Sequence, residues 1–242
     1  MLSVAGSDPS GGAGLQADLK TFEALGVEGC AIPVALTVQN SRGVSRIEAV
    51  STQLVAEQLD AVLSDGEVRA MKIGMLANAE IVRAVSGALR THAPPFTVLD
   101  PVIRSTSGTM LLDDEGVAAL RELFPLVTLV TPNAAEAGVL AGMHVPANIA
   151  EARVAARRLC ALGARNVLVT GGHIGTEEQV VDVLSGEQGY ADLSIRRVVV
   201  ARTHGTGCRL SSAIAAHVAL GASLADACAA AQRFVGNLLA TR

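Results

Sequence analysis

The chain has 242 residues, half of them hydrophobic, with one tyrosine, four phenylalanines and no tryptophan, so its core must be built from Ala, Val, Leu and Ile. That composition suits a parallel sheet covered by helices on both faces. A formal net charge of −4 and the lack of aromatic platforms argue against nucleic acid as a partner.

Cys30, Cys160, Cys208 and Cys228 have neither Cys-x-x-Cys spacing nor a zinc-finger pairing with His, which reads as four thiols in a reducing cytoplasm. No apolar run reaches the length of a membrane span, Met1 leads almost directly into Ala5-Gly6-Ser7-Asp8 without room for a signal peptide, and no linker divides the chain. We expect one domain over residues 1–242.

Residues 2–6 form a short apolar strand that runs into Ser7-Asp8-Pro9-Ser10-Gly11-Gly12-Ala13-Gly14, a loop that brings backbone close to something. A helix over 15–25 follows, with Leu15, Leu19, Phe22 and Leu25 on one face. Strand, Gly-rich loop and helix is the order of a nucleotide site, yet neither a Walker loop nor a Gly-x-Gly-x-x-Gly register is present. Asp18 on this helix either faces the loop or is solvated.

The next apolar run, 31–38, ends in Gln39-Asn40, and 44–50 reads as an exposed strand because Ser45, Arg46 and Glu48 interleave with apolar residues. Ser51 caps a helix to about residue 63. Lys72-Ile73-Gly74-Met75-Leu76 ends a strand at a glycine, which places Met75 at the sheet edge where binding residues of open α/β sheets gather.

A helix over 78–90, a strand over 96–99 and Asp100-Pro101-Val102 come next; Asp100 is placed for a metal or a phosphate, or is ordinary turn chemistry before proline. Beyond the loop at 105–108 come a helix over 113–123, a strand over 126–130 and Thr131-Pro132-Asn133-Ala134-Ala135-Glu136. Asn133 and Glu136 share a face at a helix start, either as oxygen ligands for Mg²⁺ and its waters or as a capping box.

A helix over 149–162 leads to a strand over 166–169 and the turn Thr170-Gly171-Gly172-His173, where His173 reads as a turn or surface histidine. Residues 179–184 and 190–200 form a hairpin that ends the parallel sheet on an antiparallel edge. Thr203-His204-Gly205-Thr206-Gly207-Cys208 then opens a helix to about residue 220, and 224–239 forms the last.

Two glycines around Thr206 at a helix start make an anion cradle. In that place the thiol of Cys208, ordinarily about 8.5, is expected to fall and serve as base or nucleophile. The alternative is a plain turn with Cys208 as a packing residue.

Together these motifs resemble the hydroxymethylpyrimidine/phosphomethylpyrimidine kinases of thiamine biosynthesis, within the ribokinase-like superfamily. The carrying residues run from Ala5 to Phe22, with Gln39-Asn40, Lys72 to Leu76, Leu99 to Val102, Thr131-Pro132-Asn133 with Glu136-Ala137, Gly171-Gly172-His173 and His204 to Cys208. The resemblance implies a three-layer α/β/α fold with a mostly parallel sheet, a homodimer, and transfer of the ATP γ-phosphoryl to the alcohol or existing phosphate of a small aminopyrimidine. It implies that Gly6, Asp18, Gln39, Met75 and Val102 hold the pyrimidine and that Cys208 is the base. Gly205, Thr206 and Gly207 would meet the transferring phosphoryl with N–H groups. Thr170, Asn133, Glu136 and Lys72 would lie on the nucleotide side, with Asp100 and Glu136 at Mg²⁺.

Three departures stand out. The family usually has Lys where this chain has Thr170, and Ala-Lys-Ser-Gly where it has Ser105-Thr106-Ser107-Gly108. The family's Gly-Pro-containing tail has no counterpart after Arg242. Arg104 and Arg209 are the candidates to replace the missing cations. The competing expectations are a pyridoxal or pyridoxine kinase and a non-catalytic pyrimidine-binding paralogue.

Overall fold

The computed structural model describes residues 1–40, 42–172, 174–187, 189–199 and 204–241. The first half of the chain forms β1 (Leu2–Ser7), α1 (Gly14–Ala24), β2 (Cys30–Asn40), β3 (Gly43–Ala49), α2 (Thr52–Ser64), β4 (Met71–Ile73), α3 (Ala79–His92) and β5 (Thr97–Leu99). The second half forms α4 (Asp114–Glu122), β6 (Leu129–Val130), α5 (Ala134–Ala141), α6 (Ile149–Ala161), β7 (Asn166–Val169), β8 (Gln179–Gly186), β9 (Gly189–Arg196), α7 (Thr206–Ala219) and α8 (Leu224–Ala240). Ser51, Asn78, Asp113, Asn148 and Ser223 cap their helices by accepting the amide three residues on, which is why those helices start where short polar side chains stand.

The strand expected over 126–130 is shorter because Phe124–Leu126, with Pro125 inside it, takes a single 3-10 turn. The expected hairpin is β8 and β9. Val200, His173 and Thr203, on which readings of the sequence rested, lie outside the described residues.

The strands join in one sheet of order β3-β2-β1-β4-β5-β6-β7-β8-β9. Strands β2, β1, β4, β5, β6 and β7 run parallel. Both margins are antiparallel, β3 on one side and β8 with β9 on the other. The edge at β3 was not anticipated as a pairing; the connection from β2 is too short for a crossover, so only a hairpin can form.

Strand parity divides the core in two. Leu2, Val4, Met71 and Ile73 point toward α2 to α6, whereas Val98, Leu129 and Leu168 pack against α7 and α8. Helix α1 packs on α7, so α1, α7 and α8 form the other outer layer and the molecule has the expected α/β/α arrangement. No described helix is long and apolar enough to cross a membrane.

Candidate active site

Parallel strands bring their carboxyl ends to one edge of the sheet, and the strand order reverses about β1, which has β2 on one side and β4 on the other. That reversal opens a crevice where ligands of doubly wound sheets bind. Gly6 stands one residue before the end of β1; a Cβ on it would lie 3.0 Å from the sulfur of Met75, so glycine keeps this end open. Met75, Ala35 and Leu111, with Val44, Ile47, Ala77 and Val102 against them, make an apolar floor. An adjoining cavity of ≈ 510 Å³ is lined by Ile47, Ala77, Met110 and Leu111 among others. Thus Gly6 and Met75 meet and Val102 packs on the same cluster, while Gln39, one residue before the end of β2, pairs with Val44 of that cluster.

The two glycine-rich loops clasp each other across the crevice. Gly205 takes a left-handed φ of 77° and lies so close to the carbonyl of Gly12 that no side chain fits. Arg209 Nη1 donates to Gly12 O at 2.7 Å and to Gly205 O at 3.4 Å. Its charge therefore serves the loop clasp, and Arg104 Nη1 likewise reaches the carbonyl of Gly108 at 3.5 Å.

The His204 ring stands between the loops, with Nε2 3.2 Å from Asp8 Oδ2 and 3.3 Å from Gln39 Nε2, and Nδ1 3.5 Å from Thr106 Oγ1. Burial alone would raise the Asp8 carboxyl. Hydrogen bonds from Ser10, Ala13 and His204 outweigh it and hold the group below its ordinary value. Neither Asp8 nor His204 was singled out from the sequence; the Asp-x-Ser turn at Asp8-Pro9-Ser10 was the available signal.

Beneath the loops lies a buried charge network. Parity turns Ser3 and Lys72 toward α1 and α7. Lys72 Nζ donates to both oxygens of Asp18, at 3.0 and 2.8 Å, while Ser3 Oγ and Ser212 Oγ donate to the same carboxylate at 2.6 and 2.8 Å. Lys72 and Asp18 are both fully buried. Two expectations are corrected here: with every oxygen of Asp18 taken and no surface on either residue, Asp18 is not open to read a pyrimidine and Lys72 is not open to hold a nucleotide. Burial would lower the Lys72 ammonium, yet Asp18, Cys208 and Asp100 together keep it above the ordinary lysine value.

Cys208 and Asp100 extend this network toward the crevice. Gly207, in the first turn of α7, abuts Asp100 Oδ2, and Ser211 Oγ donates to that oxygen at 3.3 Å. The Cys208 thiol lies close enough to Asp100 and to the Gly14 amide for each to act on its titration. Although Cys208 as a residue is half-buried, burial of its thiol, opposed by Lys72 but reinforced by Asp100 and Asp18, pushes it up to about 12. The expected lowering by the helix terminus is thus overturned: desolvation and two carboxylates outweigh a partial charge.

Asp100 is itself raised, first by burial and then by Asp18, with Lys72 opposing. Burial and then Asp100 push Glu136 up to about 8. Asn133 and Glu136 form a reciprocal capping box at the start of α5, with Glu136 N–H donating to Asn133 Oδ1 at 3.0 Å and Asn133 N–H donating to Glu136 Oε2 at 2.9 Å. The capping arrangement is realised, and Asn133, exposed at the start of α5, keeps a second lone pair on Oδ1 beyond the one the cap uses.

Among the described residues no group of three His, Cys, Asp or Glu side chains is arranged as a metal cage. Asp100 and Glu136 are instead a pair of neighbouring carboxylates, both raised, while the nearby ammonium is committed to Asp18. Such a pair suits Mg²⁺, which completes its shell with water and phosphate oxygens. Thr170 ends β7 next to Asn133, its amide donating to Pro132 O at 2.9 Å, and leads into Gly171 and Gly172 at the same sheet edge.

Comparison with known proteins gives this geometry its family. Residues 8–242 match the model described as phosphomethylpyrimidine kinase. A hydroxymethylpyrimidine/phosphomethylpyrimidine kinase of Rhizobium meliloti is 45% identical over 97% of this chain and 88% of its own. Among solved structures, phosphomethylpyrimidine kinase of Clostridium difficile superimposes with a TM-score of 0.86 at 36% identity, covering 98% of each chain. Pyridoxal kinase of Staphylococcus aureus, in complex with AMP-PCP and pyridoxal, gives 0.88 at 32% identity over 97% of this chain and 85% of that one. The chain therefore has the ribokinase-like fold and belongs to the phosphomethylpyrimidine kinase family.

Proposed function

We propose that this chain transfers the γ-phosphoryl group of ATP to 4-amino-5-hydroxymethyl-2-methylpyrimidine and to its monophosphate, supplying the pyrimidine half of thiamine. The observation that carries the reading is the convergence of a crevice floored by Met75, Val102 and Leu111 with the clasped loops at Gly12 and Gly205. A flat methylated ring suits that floor, and Gln39 offers the amide that an aminopyrimidine edge can match. Gly205, Thr206 and Gly207 present main-chain N–H groups and the positive end of α7 to the phosphoryl in flight.

Cys208 would act as base in its thiolate form: the resting thiol first gives up its proton to solvent, with Lys72 and the Gly14 amide favouring the thiolate, which then takes the hydroxyl proton as the new P–O bond forms and the bond to the ADP leaving group breaks. Asp100 and Glu136 would hold Mg²⁺, which would supply positive charge to offset that of the phosphates. Thr170, Gly171 and Gly172 would meet the nucleotide phosphates with a hydroxyl and main-chain groups in place of the family's lysine.

We further infer a cytoplasmic homodimer. Four free cysteines suit a reducing compartment, and Leu36 and Val38, 57% and 58% exposed on β2, form an apolar patch suited to a second copy. Pyridoxal stands as the second substrate to test, because pyridoxal kinases of known structure superimpose as well as the pyrimidine kinase does.

Turnover of hydroxymethylpyrimidine, its monophosphate and pyridoxal with ATP and Mg²⁺, alongside calorimetry of pyrimidine binding, tests the assignment. Conversion of the pyrimidines is the expected result. Tight binding without turnover would replace the kinase with a pyrimidine sensor, and conversion of pyridoxal alone would move the substrate.

A further inference from the structure

Behind Gly171, away from the crevice, β8 carries a carboxylate that the reaction above does not use. Asp182 is 3% exposed. Its Oδ1 accepts the Gly171 amide at 2.6 Å and its Oδ2 accepts Gln232 Nε2 at 3.1 Å, while the same nitrogen of Gln232 donates to Leu193 O at 3.0 Å. No ion pair reaches Asp182 among the described residues, and burial, only partly offset by the two hydrogen bonds, pushes its carboxyl up to about 6.

An uncompensated carboxylate in the interior is costly, so the group it holds gives the reason for its place. That group is the main chain of Gly171. A side chain at Gly171 would run into the carbonyl of Val181, so the exit of β7 lies directly on β8. The same turn is pinned from β6 by Thr170 N–H on Pro132 O at 2.9 Å, and from beyond β9 by Arg197 Nη1 on Gly172 O at 2.8 Å.

We propose that Asp182, itself held by Gln232, is the positioning residue of the Thr170-Gly171-Gly172 turn and through it governs affinity for the nucleotide triphosphate rather than for the pyrimidine. The inference rests on the reading that this turn meets the nucleotide. A flexible lysine tolerates a displaced backbone, because its ammonium can still reach a phosphate. With the Thr170 and Gly171 amides bonded to Pro132 O and Asp182 Oδ1, what the turn offers a phosphate is the Thr170 hydroxyl and the Gly172 N–H, both short and directional, so in this chain the aim of the turn decides binding.

Three variants test it: Asp182→Ala, Asp182→Asn and Thr170→Asp, each checked for a wild-type melting profile and assayed with ATP, Mg²⁺ and hydroxymethylpyrimidine. We expect Asp182→Ala to raise the KM for ATP about tenfold, as loss of a buried charge-assisted hydrogen bond implies, with the KM for the pyrimidine unchanged within about twofold. Asp182→Asn, which still accepts the Gly171 amide, recovers most of the loss.

Should Thr170→Asp raise the KM for ATP while both Asp182 variants leave it at the wild-type value, the turn is a nucleotide site but Asp182 does not position it. Equal losses in both KM values that Asn does not rescue would make Asp182 a purely structural residue. If Thr170→Asp leaves ATP affinity untouched, the nucleotide reading of the turn itself fails, and this inference with it.

Discussion

At the scale of single residues, the site works by setting buried charges against one another. Cys208 is a thiol near neutral pH because burial and two carboxylates overpower Lys72. Replacing it with alanine removes the group whose thiolate we propose as the base but leaves the apolar floor intact. Cys208→Ala is therefore expected to lower kcat by about 10²- to 10⁴-fold, with pyrimidine affinity by calorimetry unchanged; unaltered turnover would remove the thiol from the mechanism.

The Asp18–Lys72 pair makes a different prediction. Each charge is fully buried and satisfied by the other, so truncating one strands its partner. Lys72→Met should cost about 3–5 kcal/mol in urea unfolding, and adding Asp18→Asn should recover part of that loss rather than double it. Additive losses would mean that the two side chains do not depend on each other.

At the scale of elements, what positions the site is where each strand stops and each helix begins. The strand ends beside Gly6, Gly74, Asp100 and Thr170 were legible because apolar runs break at small or polar residues there. The cap of α5 was legible as one of two alternatives, since Asn133 and Glu136 stand at capping-box spacing whatever else they do.

The partners of Asp18 were not legible. Lys72 is 54 residues away and Ser212 is 194 residues away, and periodicity tells which face a residue is on without telling what meets it. The adjacent Ser211 and Ser212 in the apolar run of α7 were the one hint that this face meets buried polar groups. Nor could a helix-terminus argument foresee the thiol of Cys208, because the dominant cause is desolvation produced by packing.

The clasp at the start of α7 is an element-scale device with its own test. Gly205 has a left-handed φ, and the carbonyl of Gly12 occupies the space a Cβ would need. Gly205→Ala is expected to separate the two loops and reduce kcat/KM for ATP and pyrimidine together, at a cost to stability of about 1–2 kcal/mol. Retention of wild-type kcat/KM would show that transfer does not need the loops held together.

At the scale of the whole molecule, the buried acid on β8 gives the fold an unusual response to pH. Asp182 is raised from the ordinary aspartate value of 3.8 to about 6, with burial the leading cause. Its folded-state value lies above its unfolded one, so its contribution to stability is fully present below about 3.8 and is lost as the pH rises through about 6. Over that window the shift corresponds to roughly 3 kcal/mol, opposite in sign to the usual acid destabilisation of paired carboxylates. Other groups titrate in the same range, so the quantity to follow is the difference between wild type and Asp182→Asn in urea unfolding from pH 4 to pH 7. Asparagine cannot ionise, and its altered hydrogen bond to Gln232 adds only a constant offset. The wild type should lose stability relative to the variant as the pH climbs through that interval and then run parallel to it. A difference that stays flat would show that water or a cation reaches Asp182, leaving the carboxylate far less isolated than its packing between Gly171 and Gln232 implies.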